Sequence, residues 1–118
     1  MLKFYGYKKC NTCRNAEKVL TKLGKTYEFV DITEAPPSQA ALKKIIQQSG
    51  MELKKFFNTS GVQYKELNIK DKVTGMNESQ ILAMLAGNGR LLKRPLVTDG
   101  TKSTVGFDEA AFSKAWKA

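Results

Sequence analysis

Cys10 and Cys13 are the residues of this chain whose type and spacing are best suited to chemistry. They are its two cysteines, separated by Asn11 and Thr12 and followed at once by a segment of helical periodicity. A free cysteine has a pKa of about 8.5, whereas the unpaired N–H groups and the dipole of a helix N-terminus favour the thiolate. We therefore predict that Cys10, at the cap, is an attacking thiol and that Cys13, one turn later, is the resolving thiol of a redox-active disulfide. The alternative is two ordinary buried cysteines, since free cysteine is among the most buried residue types.

Basic and polar neighbours surround this pair in the sequence. Lys8, Lys9 and Arg14 add positive charge, which lowers the pKa of a nearby thiol. A fall to about 7 would leave roughly half of the thiol nucleophilic at neutral pH. Each neighbour also has a plainer reading: Arg14 as a solvated helix residue, Thr12 as a cap, and Lys8, Lys9 and Asn11 as solvated or capping residues.

The remaining composition excludes several classes of function. With no histidine, the chain can form neither a Cys–His nucleophile pair nor a four-ligand Cys/His zinc site, so we predict no metal. The formal charge of +9 suits an anionic partner, although dispersed lysines also serve solubility, and the absence of a base-reading motif argues against direct DNA binding. No apolar run approaches the roughly 20 residues of a membrane helix, and the N-terminus lacks a signal-peptide pattern, which together predict a cytoplasmic protein without membrane association.

The elements around the cysteines follow from periodicity and turn signals. Strand-forming residues at 2–7 and 27–32, the second strand expected to be buried, flank a helix at 11–23. Strand, helix and strand within about 30 residues are typical of a parallel βαβ unit.

Helices dominate the middle of the sequence, and strand signals return near its end. Helices are predicted from Pro36-Pro37-Ser38 to Gly50, over 52–57 before a turn at Ser60-Gly61, and from Asn77 onward. Strands at 95–98 and 103–107 flank the hairpin signal Asp99-Gly100, and Asp108 caps a last helix. The whole order predicts one α/β domain over residues 1–118, with a mixed four-stranded sheet and a helical insertion over about 36–88.

Several segments resemble the ArsC/Spx family of thioredoxin-like proteins. The likeness begins with the run from Tyr5 to Ala16 and continues, in the family's order, through Pro36-Pro37-Ser38, the run from Leu91 to Val97 and the run from Val105 to Glu109. It implies a thioredoxin-like sheet with a helical insertion. It also implies that Pro95 forms a cis peptide bond beside the thiols.

One branch of this family consists of glutaredoxin-linked arsenate reductases, in which a cysteine attacks arsenate. By the resemblance, Cys10 is the nucleophile, and Arg14 and Arg94 match two of the arginines that hold the oxyanion. Asn58 and Gly106 fall where two further arginines stand in that branch, and Gly6 falls where it has a histidine.

These departures weaken the case for arsenate. Two missing charge-assisted hydrogen bonds would remove about 1.5–3 kcal/mol each. A nearby lysine such as Lys54 or Lys102 would compensate only in part, because an ammonium is a point charge without the bidentate geometry of a guanidinium.

The other branch consists of Spx-type regulators, MgsR-like proteins among them, which sense oxidation through the same cysteine motif and bind the RNA polymerase alpha subunit. Cys10, Cys13, Arg14 and Arg94 match this branch as well, but the polymerase-contacting stretch does not align around residues 50–60. Two hypotheses result. The first is a thiol-dependent oxidoreductase without a bound cofactor that acts on a small oxyanion or a disulfide and is reduced by thioredoxin or a low-molecular-weight thiol such as glutathione. The second is a redox-sensing regulator.

Overall fold

Strands and helices follow one another in the predicted order in the computed structural model, which describes residues 2–59 and 61–117. The strands are β1 (Leu2–Gly6), β2 (Tyr27–Asp31), β3 (Leu96–Thr98) and β4 (Ser103–Val105). The α-helices are α1 (Asn11–Lys22), α2 (Gln39–Ser49), α3 (Val62–Glu66), α4 (Ile69–Thr74), α5 (Glu78–Gly87) and α6 (Glu109–Trp116). Two 3-10 helices cover Leu53–Phe56 and Gly89–Leu91. Within the described ranges, no helix has the length and apolar character needed to cross a membrane.

The four strands form one mixed sheet in the order β2-β1-β3-β4. β1 pairs in parallel with β2, and β3 is antiparallel to both β1 and β4. The parallel pair needs a crossover connection, which α1 supplies. The predicted α/β fold with a mixed four-stranded sheet is therefore confirmed.

The two faces of the sheet are covered by different helices. Because side chains alternate along a strand, Phe4 and Val97 point into a core shared with α1 and α6, while Tyr5 and Leu96 point into a core shared with α2 and α5. We call the segment between β2 and β3, residues 39–91, the helical lobe. It contributes most of the second core.

Helix boundaries follow the capping signals of the sequence. Ser38 Oγ accepts a hydrogen bond from the Ala41 N–H, and Gly50 ends α2 at a φ of 68°. Asn77 and Gln80 form a reciprocal capping box at α5. Asp108 accepts from the Ala111 N–H at the start of α6. The predicted caps of these three helices are confirmed.

The structure departs from the sequence-based expectations in three places. β2 is an edge strand with half-buried or exposed residues, so the expectation of a buried strand is wrong. The helices α3 and α4 were not predicted, because five or six residues are too few to show a helical period. The last strand ends at Val105, before its predicted end, since Gly106 turns the chain at a φ of 74°. Of the predicted turn at Ser60-Gly61, the first residue lies outside the described residues.

Candidate thiol site

A tight turn after β1 places Cys10 at the N-terminus of the first helix. Its N–H donates to the carbonyl of Tyr7 at 3.1 Å, and its carbonyl accepts from the Arg14 N–H at 3.0 Å. Its backbone is extended, with φ −86° and ψ 118°, and its Sγ accepts the Cys13 N–H at 3.3 Å. Cys10 is therefore the N-cap of α1, as predicted, and its sulfur occupies the position of a capping oxygen.

Cys13 lies one turn further on and is completely buried. Its Sγ approaches the backbone of Gly6, where an added Cβ would stand 3.2 Å from that sulfur and 2.6 Å from Phe4 Cε1. Glycine at this position therefore leaves room for the buried thiol. A histidine could not replace it without displacing the Phe4 ring. Both cysteines are free thiols.

The environments of the two thiols push their pKa values apart. Partial burial raises the pKa of the Cys10 thiol, but hydrogen bonds from the Cys13 backbone and side chain oppose it. The Arg94 charge and the Thr12 N–H add to them, so the pKa of Cys10 lies below its ordinary value. Burial raises the pKa of the Cys13 thiol to about 12, and its hydrogen bond to Cys10 contributes to this rise. Cys10 is thus the more acidic thiol of the pair, and Cys13 is the thiol that stays protonated at neutral pH.

Arg94 is the cation that acts on Cys10. Its guanidinium lies over the Tyr7 ring, 5.4 Å from the centroid, directly before a cis bond to the buried Pro95. The cis bond implied by the family resemblance is confirmed. Arg94 also reaches Asp31, whose pKa is lowered mainly by the Thr33 hydroxyl and in smaller part by the arginine.

Two of the basic residues adjacent in sequence, Lys8 and Arg14, have other partners. Lys8 Nζ lies 4.1 Å from the centroid of the Phe29 ring and 3.8 Å from a Glu17 oxygen. Arg14 is exposed and donates to the Lys9 carbonyl at 3.3 Å. The Arg94 charge is one of the main causes that lower the pKa of Cys10. Lys8 and Arg14 thus contact groups other than the Cys10 sulfur, and the effect of Lys8, Lys9 and Arg14 on its pKa stays a prediction.

An open cleft of about 460 Å³ lies over the Cys10 sulfur, and we call it the thiol cleft. Arg94 and Thr12, both predicted, line it, whereas Asn11 is an exposed first residue of α1. Its lining includes Cys10, Thr12, Asn58, Lys93, Arg94 and Asp108. No group of three or more potential metal ligands occurs in the described part of the chain.

Lys93 is a cleft residue that sequence reasoning missed. An added Cβ at Gly106 would stand 2.8 Å from Lys93 Cε, so this lysine fills the space beside Gly106. The two expected substitutes lie elsewhere: Lys102 donates to the Ala115 carbonyl beside the Trp116 ring, and Lys54 is exposed on a 3-10 helix. The signal for Lys93 was its place next to Arg94, combined with a glycine where a long side chain was expected.

Comparisons with known proteins agree with this geometry. The sequence matches the ArsC family over residues 5–115. It is 52% identical to the uncharacterized protein YusI of Bacillus subtilis, over 98% of each chain. It is 24% identical to the regulatory protein MgsR of the same organism, over 98% of this chain and 90% of that protein. The fold superposes on the crystal structure of a putative ArsC family related protein from Bacteroides fragilis with a TM-score of 0.91, at 41% identity and covering 97% of this chain and 96% of that one.

Proposed function

Because the chain belongs to the ArsC family, we propose that it is a thiol–disulfide redox protein in which Cys10 attacks and Cys13 resolves. The observation that carries this proposal is the opposite shift of the two pKa values. The pKa of Cys10 is lowered by hydrogen bonds at the helix cap and by the Arg94 charge. The pKa of Cys13 is raised to about 12, mainly by burial. Cys10 is half-buried and lines a cleft, whereas Cys13 is fully buried, which supports Cys10 as the nucleophile.

The reaction has two steps. The Cys10 thiolate attacks one sulfur of a substrate disulfide, the sulfur–sulfur bond breaks, and the departing thiolate takes a proton from water. Cys13 then attacks Cys10 Sγ, giving its proton to the second departing thiolate, and a Cys10–Cys13 disulfide forms. Two electrons pass from the protein to the substrate, and a cytosolic dithiol such as thioredoxin, or a low-molecular-weight thiol such as glutathione, returns them.

Features of the thiol cleft favour a disulfide over arsenate as the substrate. A histidine at position 6 has no room beside Phe4 and the Cys13 sulfur, and the space at Gly106 is filled by Lys93. Lys93 and Arg94 then supply two cations, of which only the arginine can hold an oxyanion in bidentate fashion. Two cations suffice to stabilise a thiolate or a carboxylate.

A redox titration in defined thiol/disulfide buffers tests the proposal, with free thiols counted by alkylation and mass spectrometry. We expect a reversible two-electron Cys10–Cys13 couple between about −220 and −320 mV, the range of cytosolic glutathione poise. Thiols that never pair in the folded protein would refute it.

Two matched variants assign the order of the steps. Cys10→Ser should abolish reduction of a disulfide substrate. Cys13→Ser should keep the first step and accumulate a mixed disulfide on Cys10, visible as an added mass. A Cys10→Ser protein that retained full activity would refute the assignment of the nucleophile.

A redox-sensing regulator is the second candidate, and the identity to MgsR along nearly the whole chain favours it. In this case the Cys10–Cys13 disulfide is a switch, and its output is docking to the RNA polymerase alpha subunit. Calorimetry with the isolated alpha subunit, using reduced protein, oxidised protein and the Cys10→Ser/Cys13→Ser double variant, tests it. We expect an affinity that differs at least about tenfold between the two redox states, which is about 1.4 kcal/mol. Absence of binding in both states would remove this candidate and leave the first intact.

A further inference from the structure

A second cleft lies next to the thiol cleft, and we call it the side cleft. Its volume is about 290 Å³. Asn58 and Arg94 line both clefts, so the two spaces meet at this pair of residues. A tetrahedral oxyanion displaces only a few waters of about 30 Å³ each, whereas sites for larger ligands begin at about 300 Å³. The combined space fits a substrate that extends well beyond the atom that Cys10 attacks.

The side cleft carries one charge of each sign. Arg90 enters it from the 3-10 helix Gly89–Leu91, and Glu66 enters it from the end of α3. Both side chains are exposed. Neither takes part in an ion pair or a side-chain hydrogen bond within residues 2–59 and 61–117, where the ion pair that forms is Lys8–Glu17. An arginine and a glutamate that face one cleft without pairing leave both charges available to a ligand.

The backbone around this pair is built with close contacts. Asn88 joins the two walls, because its amide donates to Gln63 Oε1 of α3 at 2.6 Å and its Oδ1 accepts the Arg90 N–H at 3.1 Å. Gly89 packs so tightly that an added Cβ would lie 1.7 Å from the Ile32 carbonyl oxygen. The backbone of Arg90 is therefore fixed next to Ile32, directly after β2. This order lowers the entropic cost of binding a ligand there.

We propose that the side cleft binds the aminocarboxylate end of a small disulfide, of the cystine or glutathione disulfide class. Arg90 binds the carboxylate, since a guanidinium matches the geometry of its two oxygens, and Glu66 binds the ammonium. The ligand's sulfur then reaches the thiol cleft past Arg94 and Asn58. The inference rests on the proposed redox function and names the substrate class of that site.

The electron balance is that of a thiol–disulfide exchange. Cys10 thiolate attacks the sulfur of the half of the substrate seated in the side cleft, and the other half leaves as a thiolate that takes a proton from water. Cys13 next attacks Cys10 Sγ and passes its proton to the seated thiolate. The aminocarboxylate thiol leaves, with both substrate sulfurs reduced and the protein oxidised by two electrons.

Four disulfides of different charge test the assignment on the Cys13→Ser protein, which stops at the mixed disulfide. Glutathione disulfide carries both charges, dithiodipropionate only carboxylates, cystamine only ammonium groups and hydroxyethyl disulfide none. The second-order rate of mixed-disulfide formation on Cys10 is measured by mass spectrometry. Each variant is compared with its parent on the same probe, so differences in probe chemistry cancel.

The two charges of the side cleft predict opposite patterns. Arg90→Gln should slow mixed-disulfide formation with glutathione disulfide and with dithiodipropionate about tenfold, and it should leave the rate with hydroxyethyl disulfide unchanged. Glu66→Gln should slow mixed-disulfide formation with glutathione disulfide and with cystamine several-fold, and it should increase the rate with dithiodipropionate. Lys70→Gln, an exposed charge removal in α4, is the control for long-range electrostatics and should alter no probe more than twofold.

Specific results overturn the inference. These are an equal slowing of all four probes, no slowing of any probe, or the same pattern from Lys70→Gln. Arg90→Gln or Glu66→Gln variants with both cysteines present that spare the small disulfides but slow reduction of the disulfide bonds of insulin would assign the cleft to polypeptide substrates instead. A folded Cys13→Ser protein whose Cys10 forms no mixed disulfide with any probe would remove the proposed function together with this inference. Normal Cys10 reactivity without charge discrimination would remove the inference alone.

Discussion

The thiol end of the molecule and its helical lobe are built differently. At the thiol end, which comprises β1, residues 7–16 and the bend at Arg94–Pro95, Cys13 and Phe4 are fully buried and Gly6 leaves no spare space. In the helical lobe, α3 has five residues and no buried side chain, and Val62 and Leu67 are 67% and 41% exposed. Close packing thus surrounds the buried thiol and also the backbone at Gly89 beside Arg90, whereas Glu66 stands on a five-residue helix with no buried side chain. The comparison suggests that the chemistry is set by the sheet and that the choice of substrate is set by the lobe.

The largest effect is expected inside the thiol end, between its two sulfurs. At neutral pH, alkylation should label Cys10 at least about a thousandfold faster than Cys13, because each unit of pKa changes the thiolate fraction about tenfold. The pKa of Cys10 lies below its ordinary value, and that of Cys13 is raised to about 12. As pH rises, the Cys10 rate should level off earlier than that of a free cysteine, while Cys13 stays slow until strongly alkaline pH. Site-resolved mass spectrometry across pH measures both rates.

Cys10→Ser is the control for the origin of this protection. Burial is the main cause of the raised Cys13 pKa, so Cys13 should stay slow in this variant. A fast Cys13 would mean that Cys10 protects it and that the thiol end is less closely packed than the comparison requires.

The second prediction compares packing at two glycines. Gly6→Ala places a Cβ 2.6 Å from Phe4 Cε1 and 3.2 Å from Cys13 Sγ, and overpacking of this kind costs about 1–3 kcal/mol. Gly87→Ala, at the end of α5, meets nothing within 4 Å and should be neutral or slightly stabilising. Urea denaturation gives the free energy of unfolding of each variant. Equal values would show that the space beside the buried thiol tolerates added volume as well as the open end of α5 does.

The sequence predicted the thiol end better than the lobe, for a physical reason. A helix cap is a local feature, so the position of Cys10 followed from a few neighbouring residues. The direction of long side chains is not local, and Lys8 was therefore expected beside the thiol although it packs on Phe29. Arg94 entered only through the family resemblance, because 84 positions separate it from Cys10 in the sequence.

The helical lobe was harder to predict because its contacts join distant segments. α3 and α4 are too short to show a period, and Asn68 connects them in the left-handed conformation at a φ of 54°. The side cleft brings together Asn58, Glu66 and Arg90, which have no shared motif in the sequence. The edge position of β2 likewise depends on which strands pair with β1, and its composition does not determine this.

The third prediction distinguishes Arg14 from Arg94, the two arginines that the sequence assigned to the thiol site. Arg94→Gln removes a positive charge that lowers the pKa of Cys10, so this pKa should rise and alkylation at neutral pH should slow by up to about tenfold. Arg14→Gln should have a smaller effect, because the Arg14 guanidinium is exposed and bonded to the Lys9 carbonyl. The pH profile of Cys10 alkylation in each variant provides the measurement. A larger shift from Arg14→Gln would reverse the assignment.

The smallest effect is expected in the helical lobe. Its measurement tests whether a loss of stability in the lobe changes the reactivity of Cys10. Asn77→Ala removes one half of the capping box of α5 and should lower the free energy of unfolding by about 1 kcal/mol. Asn15→Ala, an exposed position inside α1, is the control, where alanine is the better helix former.

Hydrogen exchange and alkylation together show whether the helical lobe and the thiol end are independent. In Asn77→Ala, the amides of α5 should exchange faster while the Cys10 alkylation rate stays unchanged, because the cap of α1 is formed by Cys10 and Cys13 themselves. A Cys10 rate that changes together with the stability of α5 would join the two regions into one cooperative unit. The lobe would then influence the nucleophile directly, and variants of the side cleft would have to be judged by their effect on Cys10 before their effect on substrate choice.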